Sequence, residues 1–331
     1  MAMQYRTIAN GQLRVSTICL GCWAMVGDET WGPQDEADAV AAIRAAVEAG
    51  VNFFDTAEGY GAGYSERLLG QALGADRGRV VIASKVSGSH LGAKDLAAAC
   101  ERSLANLGSD YIDVYYIHWP SRRVPLEETV RAMESLTSGG KVRHMAVSNF
   151  GAADLADILP LTVPAADQLP YSLLWRAIEF EVLPACRSAR VPVTCYSPLM
   201  QGLLTGKFRS PDDVPDGRAR TRLFSRRRPQ ARHGEDGAEA QTFQAVAAIA
   251  QLARQAGLDM AAMSLAWLLA QEGVAAVVAG ARNAEQARRN AAAGDLALRL
   301  DIAVRLEEIT RPLRDRMGAN ADMWQSRSRF R

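Results

Sequence analysis

Asp55, Tyr60, Lys85 and His118 each follow a short apolar run closely, and together they form a proton-relay set that needs neither a metal nor a nucleophilic serine. A tyrosine hydroxyl has an ordinary pKa of ~10, so it donates poorly near neutral pH unless a neighbouring charge lowers that value; a lysine ammonium within ~4–6 Å would do so. Asp55 is expected to hold Lys85 in place through an ion pair, and His118 to donate a hydrogen bond to the oxygen that receives the proton. The set suits protonation of a carbonyl oxygen while a hydride reaches its carbon, and the reverse oxidation. No side chain supplies a hydride, so a bound cofactor must.

Residues this far apart in sequence meet only if the fold brings their strands to one place, which a parallel α/β barrel does at the carboxyl ends of its strands. The chain alternates short β-branched or aromatic runs with longer alanine-rich amphipathic stretches, the pattern of repeated βα units. Strands are expected at 17–20, 52–55, 80–84, 113–118, 142–147, 166–168, 191–196 and 276–279. Helices are expected at 36–49, 65–73, 96–107, 126–138, 152–159, 180–189, 260–271 and 284–293. Eight units predict a closed (β/α)8 TIM barrel. Residues 5–8 and 13–15, separated by Asn10-Gly11, predict an N-terminal β-hairpin with a type I′ turn that plugs the barrel floor. Two extra helices, 241–255 and 302–314, are expected outside the barrel. The competing architecture is an open doubly wound sheet, but no G-x-G-x-x-G follows an early strand. Polar residues then mark almost every strand end: Asp55, Lys85, His118, Ser148 with Asn149, Gln168, Tyr196, and Arg282 after the eighth.

The 331 residues allow two domains by length, yet barrels of this size fold as one unit, so a single domain over 1–331 is expected. With 48% hydrophobic and 23% charged residues the chain can fill a core. A formal net charge of +1 offers no broad attraction for nucleic acid or an anionic membrane. Residues 1–14 lack the apolar stretch of a secretory signal and no run reaches the ~18 apolar residues of a membrane span, so a cytoplasmic protein acting on small molecules is expected. The five cysteines, Cys19-x-x-Cys22 among them, are read as buried or pocket thiols. Only four histidines are present, and no His-x-His or carboxylate cluster sits at the strand ends, which weighs against a metal-dependent hydrolase or isomerase.

With these residues in place the chain resembles the aldo-keto reductase superfamily along nearly its whole length. Phe54-Asp55-Thr56-Ala57, Tyr60-Gly61 and Ser65-Glu66 are similar to the signature around that family's aspartate and tyrosine. Ser84-Lys85 resembles its lysine strand, and Asp113 through Trp119 its histidine strand. Val147-Ser148-Asn149-Phe150 and Tyr196-Ser197-Pro198-Leu199, continuing to Gly202 and Lys207, resemble its cofactor segments.

The resemblance implies Tyr60 as general acid, Lys85 and Asp55 tuning it, and His118 orienting a carbonyl. It implies NADPH as cofactor: Ser148, Asn149 and Gln168 on the nicotinamide carboxamide, Tyr196 stacked on the ring, and Ser197, Leu199, Gly202 and Lys207 along the pyrophosphate. Gly280, Arg282, Gln286 and Asn290 would meet the 2′-phosphate and adenine, with Arg282 favouring NADPH over NADH because a guanidinium matches phosphate bidentately. Trp23 and Trp119, and Met25 beside them, would line the substrate pocket. Singly, each residue has a structural alternative: Asp55 as a helix cap, Lys85 as a surface charge, His118 and Tyr196 as core side chains, Arg282 as a solvated loop charge.

Three features depart from the family pattern or go beyond it. Ser121-Arg122-Arg123 predicts either a basic pocket rim suited to an anionic carbonyl or a solvated arginine pair. Arg289 stands where an acidic residue is common and either weakens the adenosine site or reinforces phosphate binding. Segment 210–237, rich in Arg, Pro, Asp and Gly and including Arg218, Arg220, Arg222 and Arg226-Arg227-Arg228, reads either as a lid that folds over the cofactor and contributes arginine near phosphate or as a flexible solvated loop. The alternative function is a cofactor-binding regulatory or interaction subunit of the same fold. Substrate, direction of reaction, strictness for NADPH and oligomeric state are not legible.

Overall fold

The computed structural model describes residues 3–331 and shows a closed eight-stranded parallel barrel ringed by helices. An antiparallel hairpin, β1 (Tyr5–Ile8) and β2 (Leu13–Ser16), precedes it. The barrel strands are β3 (Ile18–Gly21), β4 (Phe53–Asp55), β5 (Val81–Val86), β6 (Ile112–Ile117), β7 (Val142–Ser148), β8 (Asp167–Pro170), β9 (Val193–Tyr196) and β10 (Val274–Gly280). They pair in sequence order, and β10 closes on β3. The (β/α)8 architecture expected from the alternating pattern is therefore the observed one.

The helices are α1 (Glu36–Glu48), α2 (Tyr64–Leu73), α3 (Ala93–Leu107), α4 (Leu126–Ser138), α5 (Ala152–Ile158), α6 (Val182–Ser188), α7 (Glu239–Ala256), α8 (Met260–Leu269), α9 (Ala284–Ala293) and α10 (Leu300–Met317). Asp35, Asp259 and Asn283 cap α1, α8 and α9, each accepting from a backbone N–H in the first turn. The extra helices are α7 and α10, as expected, and they pack against one another.

Boundaries shift where local chemistry disguised them. β10 begins at Val274 because Val274 and Ala276 pair with Val193 and Thr194 of β9, with a register irregularity at Ala275 between them, although alanine is a poor strand former by propensity. β8 extends through Pro170, whose missing N–H is tolerated at the strand end. The hairpin does not use a two-residue type I′ turn. Ile8 pairs with Leu13, and the four residues between them include Ala9, Asn10 and Gly11, all at positive φ.

Strand periodicity carries most of the site. Cys19, Phe53, Ala83, Val114, Tyr116, Ala146 and Val278 point into the barrel and share one buried cluster with Ile8, Ala9 and Val15 of the hairpin, which closes the floor. One inward step further along the strands come Asp55, Lys85, His118, Ser148 and Gly280, because successive residues alternate faces. Apolar layers thus fill the lower barrel and polar side chains cap them.

Candidate active site

Lys85 is the centre of the polar layer. It is fully buried, and its ammonium lies 2.5 Å from Asp55 Oδ1, 2.8 Å from the Thr56 carbonyl and 3.3 Å from the Tyr60 hydroxyl. These three partners use its three donors. The other Asp55 oxygen accepts from Gln168 Nε2 at 2.8 Å. The carboxylate is thereby oriented from both sides, and the lysine points its last N–H at the phenol.

Tyr60 stacks on Trp23, with ring centroids 5.6 Å apart and planes 13° from parallel, and meets His118 edge-on at 5.9 Å. Its hydroxyl opens onto a cavity of about 890 Å³ that Asp55 and His118 also line. Burial raises the Tyr60 pKa and outweighs the opposing pull of Lys85. The sequence argument expected Lys85 to prevail. In this cavity the phenol instead keeps its proton across the neutral range, which is the form an acid must hold. Burial also acts to lower the Lys85 pKa, but Asp55 and Tyr60 overcome it and the net direction is upward, so the ammonium stays charged.

His118 is pushed down to about 3 by burial, with Lys85 and Arg329 adding to the shift. It is neutral at any working pH and able to donate one N–H. No kinetic break near pH 6.5 from this imidazole is therefore expected. A profile of log kcat/KM between pH 5 and 8 checks this, and a fall on one side of pH 6.5 that disappears in His118→Asn would contradict it.

Beyond the relay, Ser148, Asn149, Gln168 and Tyr196 form one hydrogen-bonded arc. Ser148 donates to the Gln168 carbonyl at 2.8 Å, Asn149 Nδ2 to Ser148 and to the His118 carbonyl, and Tyr196 to Asn149 Oδ1 at 2.9 Å. Asn149 adopts φ 63°, uncommon for a non-glycine residue. The loop after β9 holds more such strain, with Ser197, Met200 and Gln201 at φ 52°, 42° and 54°. Strain of this kind costs about 1–3 kcal/mol per residue and concentrates at functional sites. Gly202 is required there: its φ is 97°, and a Cβ would sit 2.8 Å from Lys207 Cε, displacing the ammonium from the loop.

At the far end of the cavity stand three cations. Burial lowers the Lys207 pKa to about 8, with Arg218 and Arg282 nearby adding to the effect. Among the described residues none of the three has a carboxylate within ion-pair distance, although Arg282 donates to Gln34 Oε1 and to the Trp31 and Pro33 carbonyls, and Arg218 to Trp31. Arg282 N also meets Gln286 Oε1 at 3.0 Å, and Asn290 Nδ2 the Gly280 carbonyl. Concentrated positive charge without an acidic partner, beside strained loop backbone, suits the phosphates of a dinucleotide.

The structure brings together on one cavity every catalytic and cofactor residue expected from the sequence except Lys85, which stands directly behind Tyr60, and with them Trp23 and Trp119. Met25 is buried and does not line the cavity. Arg122 pairs with Asp154, and neither it nor Arg123 reaches the cavity, so the rim expected from that pair is not basic for that reason. Arg289 lines the cavity but is bound by Asp259 at 2.6 Å. Segment 210–237 is packed against the body: Arg222 joins Glu235 and the Asn320 and Asp322 carbonyls, and a Cβ on Gly217 would strike the Glu29 carbonyl at 2.4 Å. Sequence reasoning missed Trp31, Gln201 and Trp324 on the cavity wall; Arg218 and Arg220, which also line it, belong to the arginine-rich segment whose reading as a lid puts arginine near phosphate. The motif flanking Gly202 could have pointed to Gln201; nothing local marks Trp31 or Trp324.

No helix among the described residues is long and apolar enough to cross a membrane. Methylglyoxal reductase YeaE of Escherichia coli (strain K12) is 34% identical over 279 residues, 83% of this chain and 84% of that protein. A probable voltage-gated potassium channel subunit beta of Oryza sativa subsp. japonica is 31% identical over 311 residues, 89% of this chain and 92% of that protein. Among solved structures, an aldo-keto reductase from Klebsiella pneumoniae in complex with NADPH superposes with a TM-score of 0.75 at 31% identity, over 94% of this chain and 96% of that one. The aldo/keto reductase family description matches residues 17–311, the whole barrel with its relay and its cationic end, and the chain belongs to that family.

Proposed function

We propose that this protein reduces the carbonyl of an aldehyde or ketone to an alcohol with NADPH, using Tyr60 as the general acid. The observation that carries the reading is the Tyr60 side chain on the cavity wall with the Lys85 ammonium 3.3 Å from its hydroxyl, and burial, which raises its pKa, favours the protonated form. Bound NADPH supplies the hydride that the carbonyl carbon receives. Lys207, Arg218 and Arg282 hold its phosphates, and the arc of Ser148, Asn149 and Gln168 holds the carboxamide through the hydrogen-bonding capacity left to it. Tyr196 offers its ring face as a platform for the nicotinamide.

The carbonyl oxygen takes its proton from the Tyr60 O–H, and the phenolate left behind is stabilised by Lys85. Donation by His118 to the same oxygen orients the carbonyl without a change of charge. The product is an alcohol, and Tyr60 regains its proton from solvent through the cavity. Support also comes from the relatives: one acts on methylglyoxal by name, and a solved relative was crystallised with NADPH.

Loss of NADPH absorbance against methylglyoxal, aromatic aldehydes, sugar aldehydes, keto-sugars and inositol-type ketones tests the reading. Turnover of at least one compound is expected. NADPH binding with no consumption across the panel would favour the alternative, a cofactor-binding interaction subunit; one relative is by name a probable channel subunit. Specificity for the cofactor has its own test. Arg282→Ala removes charge-assisted hydrogen bonds, and the KM for NADPH is expected to rise about ten- to a hundredfold while that for NADH changes little. Equal losses for both cofactors would remove Arg282 from the 2′-phosphate.

A further inference from the structure

The cavity carries a second cationic element, at the end where Tyr60 opens. Arg220 lies two residues beyond Arg218, with the buried Ala219 between them. Arg218 turns to Trp31 and the cofactor end, whereas Arg220 turns to the relay end. Its guanidinium carbon is 5.2 Å from the Trp23 ring centroid and 4.7 Å from that of Trp324. Trp23 also stacks on Tyr60, so one indole separates the arginine from the acid.

Arg220 is unsatisfied. Its Nε is buried without a hydrogen-bond partner, and among the described residues no carboxylate lies within ion-pair distance of it. The carboxylate whose field it feels, Asp28, is already occupied by the Thr30 and Trp31 N–H groups at 3.0 Å and by Trp23 Nε1 at 3.3 Å. Burial and the like charge of Arg232, which also lines the cavity, lower the Arg220 pKa. Arg329 shows the contrast. It lies 3.5 Å over Trp119, and Asp322 binds it bidentately at 2.6 and 2.9 Å, so its charge is spent on the fold. A half-buried guanidinium between two aromatic rings, on the wall of the cavity and without a carboxylate partner among the described residues, is an arrangement that recognises a planar oxyanion.

We infer that Arg220, with Arg232 on the same cavity wall, binds an anionic group of the substrate, and that the preferred substrates are carbonyl compounds bearing a carboxylate or phosphate beyond the reacting carbonyl. The inference rests on the reading of this site as a carbonyl reductase and assigns its substrate class. The anion anchors one end on Arg220 while the carbonyl oxygen meets Tyr60 and His118. Reduction then gives the hydroxy acid or hydroxy phosphate, with the charged group unchanged.

The test compares para-carboxybenzaldehyde, para-formylphenyl phosphate, methyl para-formylbenzoate and benzaldehyde as substrates with saturating NADPH. The expected result is a kcat/KM about ten- to a hundredfold higher for one or both anionic aldehydes than for the methyl ester. The two anionic arms distinguish carboxylate from phosphate. Arg220→Met should collapse that ratio towards unity, and Arg220→Lys should restore part of it.

Reduction of benzaldehyde and the ester with no preference for either anion would overturn the inference and leave the reductase reading standing. Consumption of none of the four, or of any other carbonyl, would remove the reductase reading and the inference with it. A ratio unchanged in a folded Arg220→Met would also overturn the assignment to this residue. Should that variant fail to fold, the wild-type ratio decides the substrate class, and Arg232→Met, on an exposed residue, tests the locus through the same ratio.

Discussion

Tyr60→Phe is expected to lower kcat by a factor of about 10²–10⁴, the contribution typical of a positioned general acid, while NADPH affinity by fluorescence titration stays the same. Two observations make the substitution clean. The ring remains, so its stacking on Trp23 and its edge contact with His118 persist. The hydroxyl forms one bond to the protein, to Lys85 at 3.3 Å, and that ammonium keeps Asp55 and the Thr56 carbonyl when the phenol oxygen is gone. His118 lines the same end of the cavity. An imidazole pushed down to about 3 holds no acidic proton at neutral pH, so it cannot replace the phenol. Turnover within a few-fold of wild type would show that the proton comes from elsewhere. Loss of turnover together with loss of NADPH binding would show that the cavity had collapsed.

Much of the relay was legible because a strand's two-residue period is rigid. Phe53 then Asp55, Ala83 then Lys85, Tyr116 then His118 and Ala146 then Ser148 each read as an apolar inward step followed by a polar one, and all four pairs occupy neighbouring strands, with Asp55 in register with Ala83 and Lys85 with Tyr116. Ends of strands were less legible, because the pairing of Val274 and Ala276, with the irregularity between them, is set by β9 across the sheet. Of the walls contributed by loops, the arginine-rich composition of 210–237 was legible, but not which of its arginines reach the cavity. Arg218 and Arg220 reach the cavity through the packing of Gly217 on the Glu29 carbonyl, and Trp324 through a tail segment braced by Asp322 and Arg329. Contacts of that range leave no periodic trace.

The same limit explains the direction of the Tyr60 shift. Sequence order identified its charged neighbour, but the desolvation that outweighs that neighbour depends on how closely Trp23 and the rest of the wall approach. It also explains the misplaced basic rim. Arg122 and Arg123 follow Trp119 in the chain, and Arg122 is drawn away by Asp154 at the start of α5. The charge expected there is carried instead by a segment a hundred residues further on.

Lys85→Met should show the second large effect, in stability as well as rate. Lys85 is fully buried and the Asp55 side chain is 4% exposed, so removing the lysine leaves a carboxylate with Gln168 Nε2 as its remaining side-chain partner. Breaking a buried pair by deleting one partner costs about 3–5 kcal/mol, because the surviving charge is neither solvated nor compensated. A urea midpoint well below wild type is expected, with kcat reduced at least as far as in Tyr60→Phe, since the phenolate loses its stabilising ammonium. Asp55→Asn/Lys85→Met removes both charges and leaves an amide that can still accept from Gln168. Most of the lost stability is expected to return in this double variant, while activity stays low. That divergence separates the two duties of the pair, holding the barrel mouth together and supporting the acid. A double variant as unstable as Lys85→Met would show that the uncompensated charge was not the cause, and a Lys85→Met enzyme with near-normal kcat would detach the lysine from proton transfer.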